Sequence, residues 1–166
     1  MSMNLHGITI AKIIPIELAR LEECAAQPDE VDAELLPFFE EEAKAELQAI
    51  ELLLQGWSSG DNNEPLHELR RHFHTLKGAA NSIGLIRIGA LAGAMEDVCR
   101  QFNPAYAFVL RNQVIKTCIT VLHSIRLLIG EARQPQFSVV KKEQVIQAVE
   151  AIIRLQERSV ELKGVA

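Results

Sequence analysis

The stretch PLHELRRHFHTLKGAANSIG, residues 65 to 84, carries the clearest structural pattern in the chain. Its apolar residues follow one another in steps of three and four, the spacing of one face of an α-helix. These positions are Leu66, Leu69, Phe73, Leu76, Ala80 and Ile83. The pattern predicts a helix from about Pro65 to Ile83 that ends at Gly84.

Helical periodicity recurs along most of the chain, and no alternating strand pattern of useful length is found. We predict further helices at 10–26, 37–57, 105–132 and 140–162, and one carrying Ile88 and Phe102 that ends at Asn103 and Pro104. The helix at 105–132 is apolar on more than one side, Phe108 included, so we expect it to be the most buried.

The predicted fold is all-α. The four central helices have the lengths and short connections of an antiparallel up-down four-helix bundle, with extra N- and C-terminal helices. We expect residues 1–33 to form an N-terminal helical extension and residues 34–132 the bundle. Residues 133–166 would form a C-terminal helix that packs on the bundle or leads into a linker.

Composition excludes several classes of function. A net charge of -5 offers no broad basic face, so we expect no nucleic-acid partner. No run of about 18 apolar residues is free of charge, so we expect no membrane insertion. The odd set of Cys24, Cys99 and Cys118 shows no paired spacing, which favours reduced core thiols in a cytoplasmic protein.

His74 lies outside the apolar stripe of the helix at 65–83. With 100° per residue and His74 at zero, that stripe spans roughly -80° to -180°. Basic and small residues surround the histidine within roughly 60° on either side: His67, Arg70, Arg71, Lys77, Gly78 and Asn81. An exposed imidazole is a nucleophile, and a nearby ammonium favours a phosphoryl group. Because Gly78 lacks a side chain, another protein can approach closely.

The pattern H-x-L-K-G-x-A-x-x-x-G, residues 74 to 84, resembles the signature of histidine phosphotransfer (HPt) domains. With the preceding FFEEEAKAELQAIE and RRHFHTLKG, it is most similar to the N-terminal phosphotransfer domain of chemotaxis-type histidine kinases. The resemblance covers roughly residues 34 to 130. It implies that Nε2 of His74 accepts a phosphoryl group, that Lys77 stabilises its charge and that Gly78 makes room for a docking partner.

The resemblance also implies a carboxylate partner for the imidazole. In the chemotaxis subgroup a glutamate on the next helix binds the other ring nitrogen, and the matching residue is Glu96. Such a partner would leave Nε2 free and raise its basicity. That subgroup often has a second histidine one turn earlier, where this chain has Gly93.

Other readings of the histidines are weaker. HELRR at 67–71 resembles the acceptor box of sensor kinases, but Arg71 and His72 replace its small residue and proline, so we expect His67 to extend the docking face and not to accept phosphate. His67 and His74 lie about 10.5 Å apart along the helix axis, too far to share a metal ion. We therefore expect no metal site in this chain.

The expected role is that of a phosphocarrier, not an enzyme on its own. The resemblance implies two partners, a histidine kinase catalytic domain and a response-regulator receiver domain. The receiver has an acidic pocket, and the positive charges of Arg70 and Arg71 would help to steer it toward this face. We expect no resident cofactor, since Mg²⁺ would come with the partner. The alternatives are a helical adaptor without phosphate traffic and a fragment of a larger chemotaxis-type kinase.

Overall fold

Five α-helices make up nearly all of the part that the computed structural model describes, residues 4–5, 8–9, 29–59, 65–135 and 142–165. In chain order the helices are α1 (Leu36–Ser58), α2 (Leu66–Ser82), α3 (Ile86–Gln101), α4 (Pro104–Arg133) and α5 (Lys142–Val165). The two-residue strands β1 (Asn4–Leu5) and β2 (Ile8–Thr9) pair antiparallel. The all-α prediction is confirmed, while the helix expected at 10–26 lies outside the described residues.

The first four helices form the bundle. Helix α2 packs against α1 and α3, and α4 closes the bundle by packing against α1 and α3. The apolar stripe predicted for α2 is buried from Leu66 to Ile83. Helices α1 and α4 run antiparallel, because Glu51 pairs with Arg126 while the earlier Glu40 pairs with the later Arg133. Helix α5 lies against α4 and α3.

Helix α4 is buried along one side only. Its inner residues, among them Val114 and Cys118, are in the core, but Phe108 is 77% exposed. The expectation that this helix is the most buried is therefore wrong, since the shorter α3 buries a larger share of its residues. A helix at a corner of the bundle turns one side outward. By length and composition alone the range 105–133 could cross a membrane, as core helices of soluble proteins also could.

Two of the three cysteines lie in the described residues. Cys99 and Cys118 are buried and are not joined to a disulfide partner, as expected for reduced core residues, and Cys24 lies outside the described residues. Burial raises the pKa of the Cys118 thiol to about 12. This thiol is therefore protonated and unreactive at neutral pH.

The turn between α2 and α3 depends on Gly84. This residue has a φ of 88°, a left-handed conformation that glycine adopts without strain. The amide of Leu85 donates to the carbonyl of Ala80 and the amide of Gly84 to that of Asn81, which ends α2 in a Schellman motif. The turn sets α3 beside α2 and so positions the residues opposite His74.

Residues 29–35 cross this turn and tie it to α4. The amide of Asp32 donates to the carbonyl of Ile83 over 3.0 Å. Buried Arg87 of α3 donates to Asp29 over 3.1 Å and to Glu131 of α4 over 2.9 Å. A buried cation of this kind requires its paired carboxylates, so the network fixes where α3 begins.

We predict that Gly84→Ala lowers the free energy of unfolding by about 2 kcal/mol or more. A Cβ at this position would lie 2.0 Å from the carbonyl oxygen of Glu30, in addition to the strain of a positive φ. Chemical denaturation measures the effect.

The matched control for this substitution is Gly130→Ala in α4. A Cβ there meets no atom within 4 Å, so alanine should raise stability by up to about 1 kcal/mol through its better helix propensity. Equal effects of the two substitutions would contradict the role assigned to the turn.

Candidate functional site

His74 stands on the outer surface of α2 with one ring nitrogen engaged. Its side chain is 68% exposed. Nδ1 lies 2.9 Å from Oε1 of Glu96 on α3, and no hydrogen bond to Nε2 is found among the described residues. Helical periodicity predicted that His74 lies outside the core stripe of α2, and the exposed side chain confirms this prediction.

Glu96 is a buried carboxylate at the α2–α3 interface, with its side chain 8% exposed. It comes close to α2 because α3 carries small residues along this stretch, Gly89 and Gly93 among them. At Gly89 a Cβ would lie 2.0 Å from Oδ1 of Asn81, so the side chain of Asn81 occupies the space that glycine leaves. Small residues on α3 therefore allow the close approach that brings Glu96 to His74.

Lys77 binds the same carboxylate. Its Nζ lies 2.7 Å from Oε2 of Glu96, so the two oxygens of Glu96 are shared between His74 and Lys77. Sequence reasoning placed each of these residues at the site but did not predict the contact between Lys77 and Glu96. The signal was present, since positions three apart on one helix face point at the same neighbour.

The electrostatics of the site keep Glu96 ionised. Burial raises the pKa of its carboxyl, but hydrogen bonds and charges from Lys77 and His74 lower it, and the net result is a pKa below the ordinary value. An ionised carboxylate only accepts hydrogen bonds. Nδ1 of His74 must therefore carry the proton, and in the neutral ring Nε2 presents its lone pair to solvent.

The residues predicted as a docking face lie around His74 on α2. Gly78, His67, Arg71 and Asn81 are exposed, and a Cβ at Gly78 would meet no atom within 4 Å. The surface beside the imidazole is thus open at Gly78.

The two arginines of this face differ in their surroundings. Arg71 pairs with Glu68 over 2.9 Å, and its hydrogen bond and charge lower the pKa of that carboxyl. Arg70 is half-buried and forms no ion pair within the described ranges. Arg70 therefore has the less neutralised charge of the two.

The remaining histidine of α2, His72, lies away from this face and bonds to α1. His72 points toward α1, where Nδ1 lies 2.6 Å from Oε2 of Glu46 and both side chains are largely buried. Sequence reasoning did not identify this pair, which joins α1 to α2. Over the residues that the structure describes, no group of three His, Cys, Asp or Glu side chains could hold a metal ion.

We predict that Glu96→Gln lowers the free energy of unfolding at pH 7 by about 1–3 kcal/mol, because the amide loses both charged contacts. The folded-state pKa of Glu96 lies below the usual 4.5, so its stabilising contribution is complete above that pH and is lost as the pH falls through the folded-state value. The difference between wild type and variant should therefore shrink in acid. Urea unfolding at pH 7 and below pH 4.5 measures it.

Glu41→Gln serves as the control, since Glu41 is exposed and forms no ion pair among the described residues. It should leave stability unchanged at both pH values. A Glu96→Gln deficit that persists undiminished in acid would contradict the ionised state assigned to Glu96.

Comparison with known proteins gives one finding that bears on this site. The family model of the Hpt domain matches residues 34–134, more than half of the chain. Neither the curated proteins nor the solved structures include a match. The matched range contains α1 to α4 and the whole His74–Glu96–Lys77 arrangement. The chain therefore belongs to the Hpt family, whose domains are phosphocarriers that serve histidine phosphotransfer in phosphorelays.

Proposed function

We propose that Nε2 of His74 accepts a phosphoryl group from a histidine kinase and passes it to the aspartate of a response-regulator receiver domain. One observation carries the proposal: the ring is exposed, its Nδ1 is bound to Glu96 and its Nε2 faces solvent. A buried carboxylate that orients an exposed imidazole is the arrangement that nucleophilic histidines need.

In the first half-reaction the lone pair of Nε2 attacks the γ-phosphorus of kinase-bound ATP, and ADP leaves with the electrons of the broken P–O bond. Nδ1 keeps its proton, so the phosphorylated ring carries a positive charge. Glu96 accepts a hydrogen bond from Nδ1–H and stabilises that charge as it develops.

In the second half-reaction a receiver carboxylate attacks the phosphorus and the imidazole leaves through Nε2. The ring returns to the neutral form with its proton still on Nδ1, so no proton has to move in either direction. Such a proton arrangement suits a phosphocarrier, because the same hydrogen bond to Glu96 assists both the phosphorylation of His74 and the transfer to the receiver.

Lys77 has the geometry to assist both steps. Its ammonium has three donors and uses one position on Glu96, which leaves donors for the phosphoryl oxygens. Arg70 supplies further positive charge for an acidic receiver pocket. Mg²⁺ and nucleotide would come with the partner domains, and the protein would act in the cytoplasm as a phosphocarrier of the chemotaxis-kinase type.

We predict that His74→Gln abolishes labelling by a cognate kinase supplied with radiolabelled ATP. Glutamine keeps a polar side chain at an exposed site, so circular dichroism should show unchanged helix content. In the wild type the label should be lost in acid and retained in alkali, as expected for a phosphoramidate.

His67→Gln is the matched control, because His67 is exposed on the same helix two turns earlier. It should take label to the same final extent as the wild type, although its place on the predicted docking face can slow the reaction. Full labelling of His74→Gln, or loss of label in His67→Gln alone, would overturn the assignment of the acceptor. A wild type that takes no label from any kinase would favour a helical adaptor.

We predict that Gly78→Leu slows transfer from phosphorylated His74 to a receiver about tenfold or more, which corresponds to about 1.4 kcal/mol. The side chain would project from an open surface one turn from His74, where nothing lies within 4 Å of a Cβ. Rapid-quench measurement of receiver phosphorylation tests this.

Gly130→Leu provides the comparison, since Gly130 has the same open surroundings on α4. It should transfer at the wild-type rate. Equal transfer by the two leucine variants would remove the docking role of Gly78.

A further inference from the structure

A polar cleft with positive charge runs between α4 and α5, and we call it the α4–α5 cleft. It has a volume of about 470 Å³ and is lined by the polar side chains Gln113, Lys116, Thr117 and Thr120 of α4 and Gln147 and Arg154 of α5. The set contains two cations, two hydroxyls and two amides, and no lining residue is acidic. No residue of α2 or α3 lines the cleft, so it is separate from the phosphotransfer site.

The register of α5 on α4 opens the cleft. The hydroxyl of Ser124 donates to the carbonyl oxygen of Gln144 over 3.2 Å, which fixes how the two helices are aligned. Thr117 lies seven positions earlier on α4 and Ala151 seven positions later on α5, and both line the cleft, so the helices run antiparallel. Because the side chain of Ala151 is a single methyl group, it leaves the space beside Thr117 unfilled.

Thr117 brings an unpartnered hydroxyl to this cleft. The residue is 4% exposed, yet its hydroxyl forms no hydrogen bond with any residue that the structure describes. The oxygen is not enclosed in the core, so it opens into the cleft that the residue lines. Thr120 differs, because its hydroxyl donates to the carbonyl oxygen of Lys116 over 3.0 Å. A largely buried polar group without a partner is costly, so the Thr117 hydroxyl is available to a ligand.

The two cations of the cleft are not neutralised by the protein. Lys116 and Arg154 are exposed and form no ion pair within the described ranges. The acidic residues on either side of Arg154 along α5, Glu150 and Glu157, do not line the cleft. Like charges on facing helices repel each other, and an anion bound between them replaces that repulsion with attraction.

We propose that the α4–α5 cleft binds a small molecule that carries two or more phosphate or carboxylate groups. Ammonium and guanidinium groups bind such oxyanions through charge-assisted hydrogen bonds. The hydroxyl of Thr117 and the two glutamine amides add neutral donors that orient the ligand. The volume is within the range of small-molecule sites, about 300–1,000 Å³. Because the Thr117 hydroxyl is recessed below exposed cations, a small ligand reaches it where the surface of another protein would not.

This binding goes beyond the proposed phosphotransfer and does not depend on it. The chain has a net charge of -5, which disfavours non-specific attraction of a polyanion. Affinity must therefore come from the local arrangement in the cleft. A ligand that contacts Lys116 and Arg154 together would also hold α5 to the bundle.

Isothermal titration calorimetry of the full chain with pyrophosphate and, separately, with citrate tests the proposal at an ionic strength of about 0.15 M. At least one anion should bind at one site per chain with a Kd below about 1 mM. Tighter binding of pyrophosphate identifies a phosphate ligand, and tighter binding of citrate a carboxylate ligand. Lys116→Gln and Arg154→Gln should each weaken binding about tenfold or more, since each removes a charge-assisted hydrogen bond.

Thr117→Val distinguishes a built site from attraction by surface charges. Valine keeps the shape of the side chain and removes only the hydroxyl, so binding should weaken about fivefold. The melting temperature should stay the same or rise, because no hydrogen bond within the described protein is lost.

The matched controls are Lys44→Gln on α1 and Arg133→Gln at the end of α4, two exposed cations outside the cleft, and both should bind like the wild type. His74→Gln should also bind like the wild type, so failure of the proposed phosphotransfer would leave this result unchanged. A wild type that binds neither anion, equal weakening by cleft and control variants, or full binding by Thr117→Val would each overturn the proposal.

Discussion

The site depends on one buried carboxylate that binds two side chains of a neighbouring helix. Glu96 holds Nδ1 of His74 through one oxygen and Nζ of Lys77 through the other. Its ionisation decides which nitrogen of the imidazole carries the proton, and hence which nitrogen is free to react. Without this carboxylate the histidine would be an exposed ring without a fixed tautomer or orientation.

The fold makes the contacts of Glu96 with His74 and Lys77 possible because it brings α3 close to α2 in a defined register. Gly84 reverses the chain in a left-handed conformation, and the strap at residues 29–35 closes over the turn through Asp29 and Arg87. Small residues on α3, such as Gly89, let the helices approach until Asn81 fills the remaining space. The imidazole of His74 can then lie at the surface while its partner Glu96 is buried, a combination that a single helix could not provide.

Periodicity was sufficient to predict the helices, because a core stripe with steps of three and four is a strong signal. Local pattern also identified His74, Lys77 and Gly78, which lie within five residues of one another on one helix. Glu96 came only through the resemblance, since a contact between helices leaves no local trace. The bond of His72 to Glu46 was not predicted for the same reason. The bond of Lys77 to Glu96 could have been inferred once Glu96 was assigned to His74, because Lys77 lies three positions from His74 on the same helix face. The burial of Phe108 was predicted wrongly, because periodicity shows that a face is apolar but not whether a neighbour covers it.

Nitrogen NMR of the His74 imidazole in the folded protein tests most directly whether Glu96 fixes the tautomer of the ring. In the neutral ring we predict a protonated Nδ1 and an unprotonated Nε2, with the preference for this form reduced in Glu96→Ala. A ring that carries its proton on Nε2, or a tautomer unaffected by loss of the carboxylate, would contradict the claim that Glu96 prepares Nε2 to receive the phosphoryl group.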